Sequence, residues 1–414
     1  MRSTLFHIPN QIAGMPVFGF GLLLGLWVLF SLFVLVRQVR REGWGRQTWG
    51  YVPVLVLVGA IIAFVFPRLA DARGVPIRGY GVMVLAGVAA AVALAVHRAR
   101  RAGIDAEIIF GLAFWAFVPG IIGARLFYVI EYWESFQRPT AVATLLEMIN
   151  LTQGGLVVYG SLLGGVAGLT FYIRRQGLPL LATLDLITPS LLLGLALGRV
   201  GCFLNGCCYG GICDLPWAVR FPAGSPPHLH QVERGQTYLH GLKIARDRQG
   251  RPVIEQVQPG SAPARMGLRP GMVITSVDGR PVPSLAEAYR ALLRAHVVGP
   301  EVSVTVQGGL DEYRWPLARS EPVHPTQLYA ALNAAVLCLF LMAYDPFCRR
   351  DGQLWALFLT LYPIARFLLE ALRDDEPKTP LSPAQVGSLM LLACAAALWI
   401  YILRRPPRRI FTGA

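Results

Sequence analysis

Apolar residues in this chain run in long unbroken blocks, unlike the alternation of half-buried strands or the one-sided stripe of a surface helix. Nine blocks can be marked, at approximately 16–36, 51–67, 80–97, 108–130, 155–173, 182–204, 327–344, 354–372 and 386–403. Each lies near the ~20 residues a helix needs to cross a bilayer core. The first is too long, and the stretch before it too weakly basic, for a cleaved signal peptide, so it reads as a retained span.

The polar connections test this reading, because cytoplasmic loops carry the arginine and lysine excess. The basic loops are RQVRREGWGR (37–46), HRARRAG (97–103), RRQG (174–177), CRRDG (348–352) and the tail RRPPRR (404–409). They follow the first, third, fifth, seventh and ninth blocks, the alternation that nine spans require. The N-terminus is then outside and the C-terminus inside, with 131–153, 205–326 and 373–385 on the extracytoplasmic face.

One loop differs from the rest. From 236 to 318, short Val- and Ile-rich runs alternate with Gly, Pro and Asp: GLKIAR, a DRQGRP turn, VIEQVQPGS, APARMGLRPGMVITSVDGRPV, a helix near 284–295, and EVSVTVQ. That pattern predicts half-buried strands and a small α+β domain. SAPARMGLRPGMVITSVDGRPV resembles a bacterial PDZ domain, in which a helix after Ser261 leads to a turn at Gly271 and then a strand. The resemblance places a carboxylate-binding loop at His240, Gly241 and Leu242 and implies capture of an extended peptide, or of an export partner, by strand addition. A domain of this kind that only caps the membrane part stays open beside that reading.

Composition agrees with the hydropathy: 54% of residues are hydrophobic and 15% charged, against about a quarter charged in soluble domains. A net charge of +14 suggests nucleic acid only until its distribution is read. The basic residues sit in short clusters between apolar blocks, so nucleic acid is excluded as a partner. Lys243 and Lys378 are the only lysines; arginine carries the excess, which suits phosphate and lipid head groups as well as a biased genome. Seven cysteines are present, with Cys202, Cys207, Cys208 and Cys213 close together. No CxxC pair occurs, and His228 and His230 do not complete a zinc spacing, so packing residues are expected, with no metal and no cofactor. An aromatic-glycine pair opens both PVFGFGLLLG (16–25) and VPIRGYGVMVLAG (75–87), a faint repeat that carries no function.

Charge inside a span is where function is sought, because an arginine at the bilayer centre costs about 2.5–3.5 kcal/mol even on lenient scales. Arg199 lies in LLLGLALGRVGCFLNGCCYG, Arg125 in PGIIGARLFYVIEYW and Arg366 in YPIARFLLEALRDD, each in the extracytoplasmic half of its span. Arg366, Glu370 and Arg373 share one helix face at i, i+4 and i+7. Glu370 is expected to partner Arg366, with Arg373 snorkelling to the boundary. Gly194, Gly198, Gly201, Gly206 and Gly210 thin the chain around Arg199, and Asn205 adds an amide at the surface. An arginine, an amide and a glycine-lined cleft suit a lipid phosphate; close helix packing alone also explains the glycines.

Six blocks in order then carry a resemblance. VPIRGYGVM (75–83), GARLFYVIEYW (123–133), GGLVVYGSLLGG (154–165), GRVGCFLNGCCYG (198–210), HPTQLYAAL (324–332) and YPIARFLLEALR (362–373) are similar to the blocks of prolipoprotein diacylglyceryl transferases. The resemblance implies an all-α polytopic membrane protein of about nine transmembrane helices, a seven-helix family core plus two at the N-terminus, with the α+β insertion. The parts are 1–74 (extra helices), 75–222 and 321–403 (core), 236–318 (insertion) and 404–414 (basic tail). It implies transfer of the diacylglyceryl group of phosphatidylglycerol to the lipobox cysteine of a prolipoprotein, in the bacterial inner membrane, with membrane lipids and prolipoprotein signal peptides as partners.

Such a reaction breaks a carbon–oxygen bond and alkylates sulfur. A thiol must become a thiolate, and the departing phosphate oxygen must be stabilised. Under the resemblance Arg199 holds the phosphate, Arg366 lies near the leaving group, and Tyr80, Arg125, Asn205, Gly210 and Glu370 bind or orient substrate. Many relatives have histidine where this chain has Tyr159, and asparagine and glutamate at Cys202 and Cys207. A phenol ionises well above neutral pH, so Tyr159 is a poor base and His324 is the better candidate; capping the following helix would equally occupy His324. Three rivals are weighed. An inactive scaffold draws on the departures at Tyr159, Cys202 and Cys207. An intramembrane protease lacks any HExxH or nucleophile arrangement here, and a transporter lacks a midplane acid.

Overall fold

A computed structural model describes residues 4–43, 45–70, 74–150, 154–155, 157–308, 312–374 and 381–411. Helices stand at all nine apolar blocks. The chain divides into two compact units, residues 1–82 and 83–414.

In the first unit, α1 (Leu22–Glu42) and α2 (Arg46–Ala60) meet where the Trp27 indole donates to the Leu55 carbonyl at 3.0 Å. The second apolar block is not a continuous α-helix. A π turn, Ile61–Val65, precedes Phe66–Leu69. Pro67 cannot accept the carbonyl four residues back, and widening the turn relieves that clash. The Ile62 carbonyl is then free to accept from Gly19 N at 3.3 Å. A short antiparallel pair, β1 (Thr4–Ile8) with β2 (Val75–Arg78), completes the unit.

The helix α3 (Gly79–Arg101) leads into the second unit, which continues with α4 (Ala106–Glu131), α5 (Val158–Arg175) and α6 (Leu180–Asn205). The α4–α5 pair packs through glycine. A Cβ at Gly160 would lie 2.3 Å from the Gly123 carbonyl, and one at Gly164 would lie 2.2 Å from that of Pro119. No side chain fits between these backbones, so the GxxxG spacing of the sequence fixes this contact.

After the insertion come α8 (Thr326–Tyr344), α9 (Gln353–Glu370) and α10 (Pro383–Leu403). Leu192 and Ala196 of α6 pack with Ala334, Cys338 and Leu341 of α8 and Leu354 of α9. Among the described residues, six helices are long and apolar enough to cross a membrane: α1, α3, α4, α6, α8 and α10. Over its most apolar stretch α6 is 56% buried, while the other five range from 0 to 33%. Of these, α6 is the one most enclosed by protein, and the others turn apolar side chains outward, as lipid-facing helices do.

At one end of this bundle the charges close on each other. Asp345, just beyond α8, takes Arg98 of α3 at 3.1 Å and also Arg409 of the C-terminal tail. Asp185 of α6 accepts the backbone N–H groups of Gly352 at 2.6 Å and Trp355 at 2.8 Å, capping α9. Gly352 has φ +92°, which only glycine adopts without strain.

The insertion has the elements its alternation predicts. β3 (Leu242–Arg246) pairs with β4 (Pro252–Val257), and a four-stranded sheet runs β8 (Tyr313–Pro316), β7 (Glu301–Val306), β5 (Ile274–Val277), β6 (Arg280–Pro281). Ser261 caps a short helix at Ala262–Arg265, and Ser284 caps α7 (Leu285–Val298). Leu242, Ile254, Val277, Leu292, Val304 and Trp315 form its core, separate from that of the membrane helices.

Candidate functional site

The site lies at the end of the bundle away from Asp185. About 14 residues of helix, roughly 21 Å, separate Asp185 from Arg199 along α6. Arg199 and Arg366 line one cavity, together with Leu195, Ala330, Asn333, Tyr362 and Leu369 from α6, α8 and α9. Its volume is ≈ 10 Å³, room for about one water. The cost of a charge inside a span thus located both arginines in the sequence. It could not locate Asn333 or Tyr362, which are ordinary residues for a membrane helix.

The two arginines differ in their partners. Arg366 is paired with Glu370, and Arg373 reaches the same carboxylate at 3.2 Å. Glu370 also accepts from Ser382 Oγ at 3.0 Å, which ties α9 to the start of α10. Arg373 does not snorkel; a buried carboxylate nearby holds it in a better-defined place than the interface would. Arg199, by contrast, makes no ion pair among the described residues. Tyr362, Cys208, Cys202 and Arg373 are among the ionisable groups whose charges act on it. No side chain approaches the position beside it that a Cβ on Gly198 would fill.

Three distant stretches form the rim above the cavity. Gly206, φ +79°, ends α6 in the left-handed conformation and turns the chain back on itself. Gly210 N donates to His324 O at 3.0 Å, His324 N to Gly211 O at 3.0 Å, and Gly211 N to Leu372 O at 2.9 Å. The chain at 206–213 is thereby threaded between the start of α8 and the end of α9. A Cβ at Gly210 would stand 2.6 Å from His324 Cβ and 2.7 Å from Leu372 O, so this glycine serves the threading. Asn205 is exposed at the end of α6. The His324 ring is half-buried and faces the Tyr329 hydroxyl, 3.5 Å away, to which Trp217 donates at 2.7 Å.

The same turn gathers thiols. The sulfurs of Cys202, Cys207 and Cys208 all lie within 4.8 Å of one another, although no CxxC spacing announces it. Thr326 Oγ1 donates to the Cys208 carbonyl at 2.7 Å and Gln327 Nε2 to that of Cys207 at 2.8 Å.

Among the described residues of the second unit, Arg125, Tyr159, His240 and Leu242 make no hydrogen bond or ion pair with the residues that line the cavity. Arg125 gives all five of its N–H groups to backbone carbonyls, those of Glu147, Met148, Asn150, Gly154 and Gly155, at 2.7–3.1 Å. It also stacks over Tyr128 and Phe136. That geometry shapes the segment after α4. Tyr159 is half-exposed on α5, and Tyr80 is half-exposed in the first unit. In the insertion, His240 and Leu242 are buried; the His240 ring bonds the Leu292 carbonyl at 3.0 Å and accepts from Ala318 N at 3.3 Å. The edge of β3 opposite β4 has no strand partner among the described residues.

Residues 67–401 match the family described as prolipoprotein diacylglyceryl transferase. The chain belongs to this family. It is 35% identical to the phosphatidylglycerol–prolipoprotein diacylglyceryl transferase of Rhodopirellula baltica, over 95% of this chain and 88% of that one. Proteins of the same name from Gloeobacter violaceus (27% identical, 83% of this chain, 95% of that one) and Clostridium tetani (35%, 40% and 66%) are also similar. The match to the Rhodopirellula protein is long enough to run through the insertion as well as the helices.

Proposed function

We propose that this membrane protein transfers the diacylglyceryl group of phosphatidylglycerol to the cysteine thiol of prolipoproteins, at the cavity that Arg199 and Arg366 share. The observation that carries this reading is the placement of two guanidinium groups from different helices on one cavity inside an apolar bundle. Guanidinium pairs bidentately with phosphate, and inside a bundle that attraction is little screened.

Arg199 holds the phosphate, since it has no carboxylate partner among the described residues. Arg366 is already oriented by Glu370, so its charge is fixed in place to stabilise the oxygen that leaves. A phosphate exceeds a cavity of one water, and head-group binding requires the two long side chains to part. The thiol sulfur then attacks the glyceryl carbon, the carbon–oxygen bond breaks, and its electron pair departs on glycerol phosphate. His324, on the rim, takes the thiol proton. Asn205, at the end of α6, orients the head group.

The alternation of basic loops supports an inner-membrane orientation with the rim and the insertion outside, where secreted preproteins arrive. The insertion, whose sequence resembles a PDZ domain, binds extended peptide along the open edge of β3 and raises preprotein concentration near the rim.

The test is direct. Purified protein, phosphatidylglycerol and a lipobox peptide should yield a thioether-linked peptide, and Arg199→Ala and His324→Ala should lower the rate. Absence of transfer by the wild-type chain, or an unchanged rate in Arg199→Ala, overturns the reading. Deleting 236–318 should weaken preprotein turnover and spare phosphatidylglycerol binding.

A further inference from the structure

Three thiols within 4.8 Å of one another are close to the spacing of about 3.8 Å that tetrahedral zinc–sulfur bonds of about 2.3 Å impose. The backbone around them is fixed. Gly206 turns the chain so that Cys207 and Cys208 fold back over Cys202, and Cys208 itself has φ +59°, a conformation non-glycine residues rarely adopt. Thr326 and Gln327 hold the two carbonyls of that turn. Gln327 is fully buried, and its Oε1 has no hydrogen-bond partner among the described residues. The cluster also stands at the C-terminal, negative end of α6, where a cation is favoured and three ionised thiols alone are not.

We infer that Cys202, Cys207 and Cys208 bind zinc through three thiolates and that the fourth position takes the substrate thiol. The second half of this inference rests on the function proposed above. Three protein ligands and one open position is the arrangement of zinc sites that act on a substrate. Coordination acidifies the thiol, and the proton it gives up passes to His324 on the rim. This supplies a thiolate in a chain that has Tyr159 where many of its family have histidine. The coordinated sulfur forms its bond to the glyceryl carbon, the carbon–oxygen bond breaks, and the phosphate leaves with the electron pair. A thioether is neutral and a weaker zinc ligand than a thiolate, so the alkylated product departs. Arg199, one turn below Cys202, lies beside the incoming phosphate.

The experiment uses the full chain, purified reduced in detergent and dialysed against buffered Zn²⁺. About one zinc per chain is expected by mass spectrometry. Cys202→Ser, Cys207→Ser and Cys208→Ser should each weaken zinc binding about 100-fold or more, and Cys213→Ser should not. With Co²⁺ in place of zinc, a sulfur-to-cobalt charge-transfer band should appear. A lipobox peptide should change the cobalt spectrum, and the same peptide with serine for cysteine should not. A disulfide among the three cysteines, zinc content unchanged in the triple serine variant, or a spectrum blind to the peptide overturns the inference. These readings need no turnover. Transfer that continues after chelation has removed all metal overturns this inference alone, whereas zinc and peptide binding without any transfer overturns only the proposed function.

Discussion

Two groups of buried charge stand at opposite ends of the same helices, and they are built on different rules. Around Asp345 and Asp185, the carboxylates are met by arginines or by backbone N–H groups of the chain itself. At the other end Glu370 is equally occupied, by Arg366, Arg373 and Ser382, but Arg199 faces a cavity without a carboxylate. A buried charge with all its partners in the chain holds elements together. A buried cation without one is costly unless an anion from elsewhere joins it, and under the proposed function that anion is a lipid phosphate.

The largest test separates these rules by stability. Asp345→Ala leaves Arg98 and Arg409 facing each other without their carboxylate, which should cost about 3–5 kcal/mol. Lower yield and a lower thermal midpoint in detergent are expected, with transfer per folded molecule retained. A variant as stable as wild type would show that the charges at this end are not structural.

Arg199→Ala should do the reverse. Removing one group that stabilises developing charge costs about 10²–10³ in rate. Since Arg199 makes no ion pair among the described residues, its removal strands no carboxylate there, and the thermal midpoint should stay near that of wild type. Loss of stability in step with activity would place Arg199 with the structural charges.

A histidine packed against the insertion sharpens the comparison with a group that titrates. His228 is buried, its ring stacks on His240 at 5.6 Å, and its Nε2 has no partner among the described residues. Burial, with His240 second, pushes its pKa down from 6.5 to about 4, and burial also lowers that of His240. The unfolded chain therefore binds the proton first. Stability is full above pH 6.5 and is lost as pH falls from there toward about 4, by up to roughly 3 kcal/mol. Protease susceptibility within 236–318 should rise over that window, and His228→Gln should flatten the rise.

Much of this was legible in the sequence, for reasons that differ by element. The apolar blocks gave the helices because burial in lipid demands them, and alternation gave β3, β4, β5 and β7 because one face of each strand is buried. The break in α2 came from Pro67, which the apolar run concealed. Arg199 and Arg366 were found because charge in a span is costly. Asn333 and Tyr362 were not, because only the meeting of α8 with α9 gives them a role. The thiol cluster escaped because zinc spacings are read along the chain, while these sulfurs meet across a helix end that Gly206 reverses.

Arg125 shows the same limit most clearly and offers the finest test. In sequence it is the equal of Arg199, an arginine among apolar residues in the outer half of a span. Its partners are carbonyls 22 to 30 residues away, and no sequence pattern says where a carbonyl points. Five donors in a planar fork satisfy five acceptors; the three donors of an ammonium cannot. Arg125→Lys keeps the charge and should therefore loosen the 147–155 segment by about 1–3 kcal/mol, read as faster proteolysis there. Affinity for phosphatidylglycerol should be nearly unchanged. If Arg125→Lys instead weakens lipid binding and leaves proteolysis as it was, the guanidinium belongs with Arg199, and its five carbonyl bonds are secondary to a phosphate.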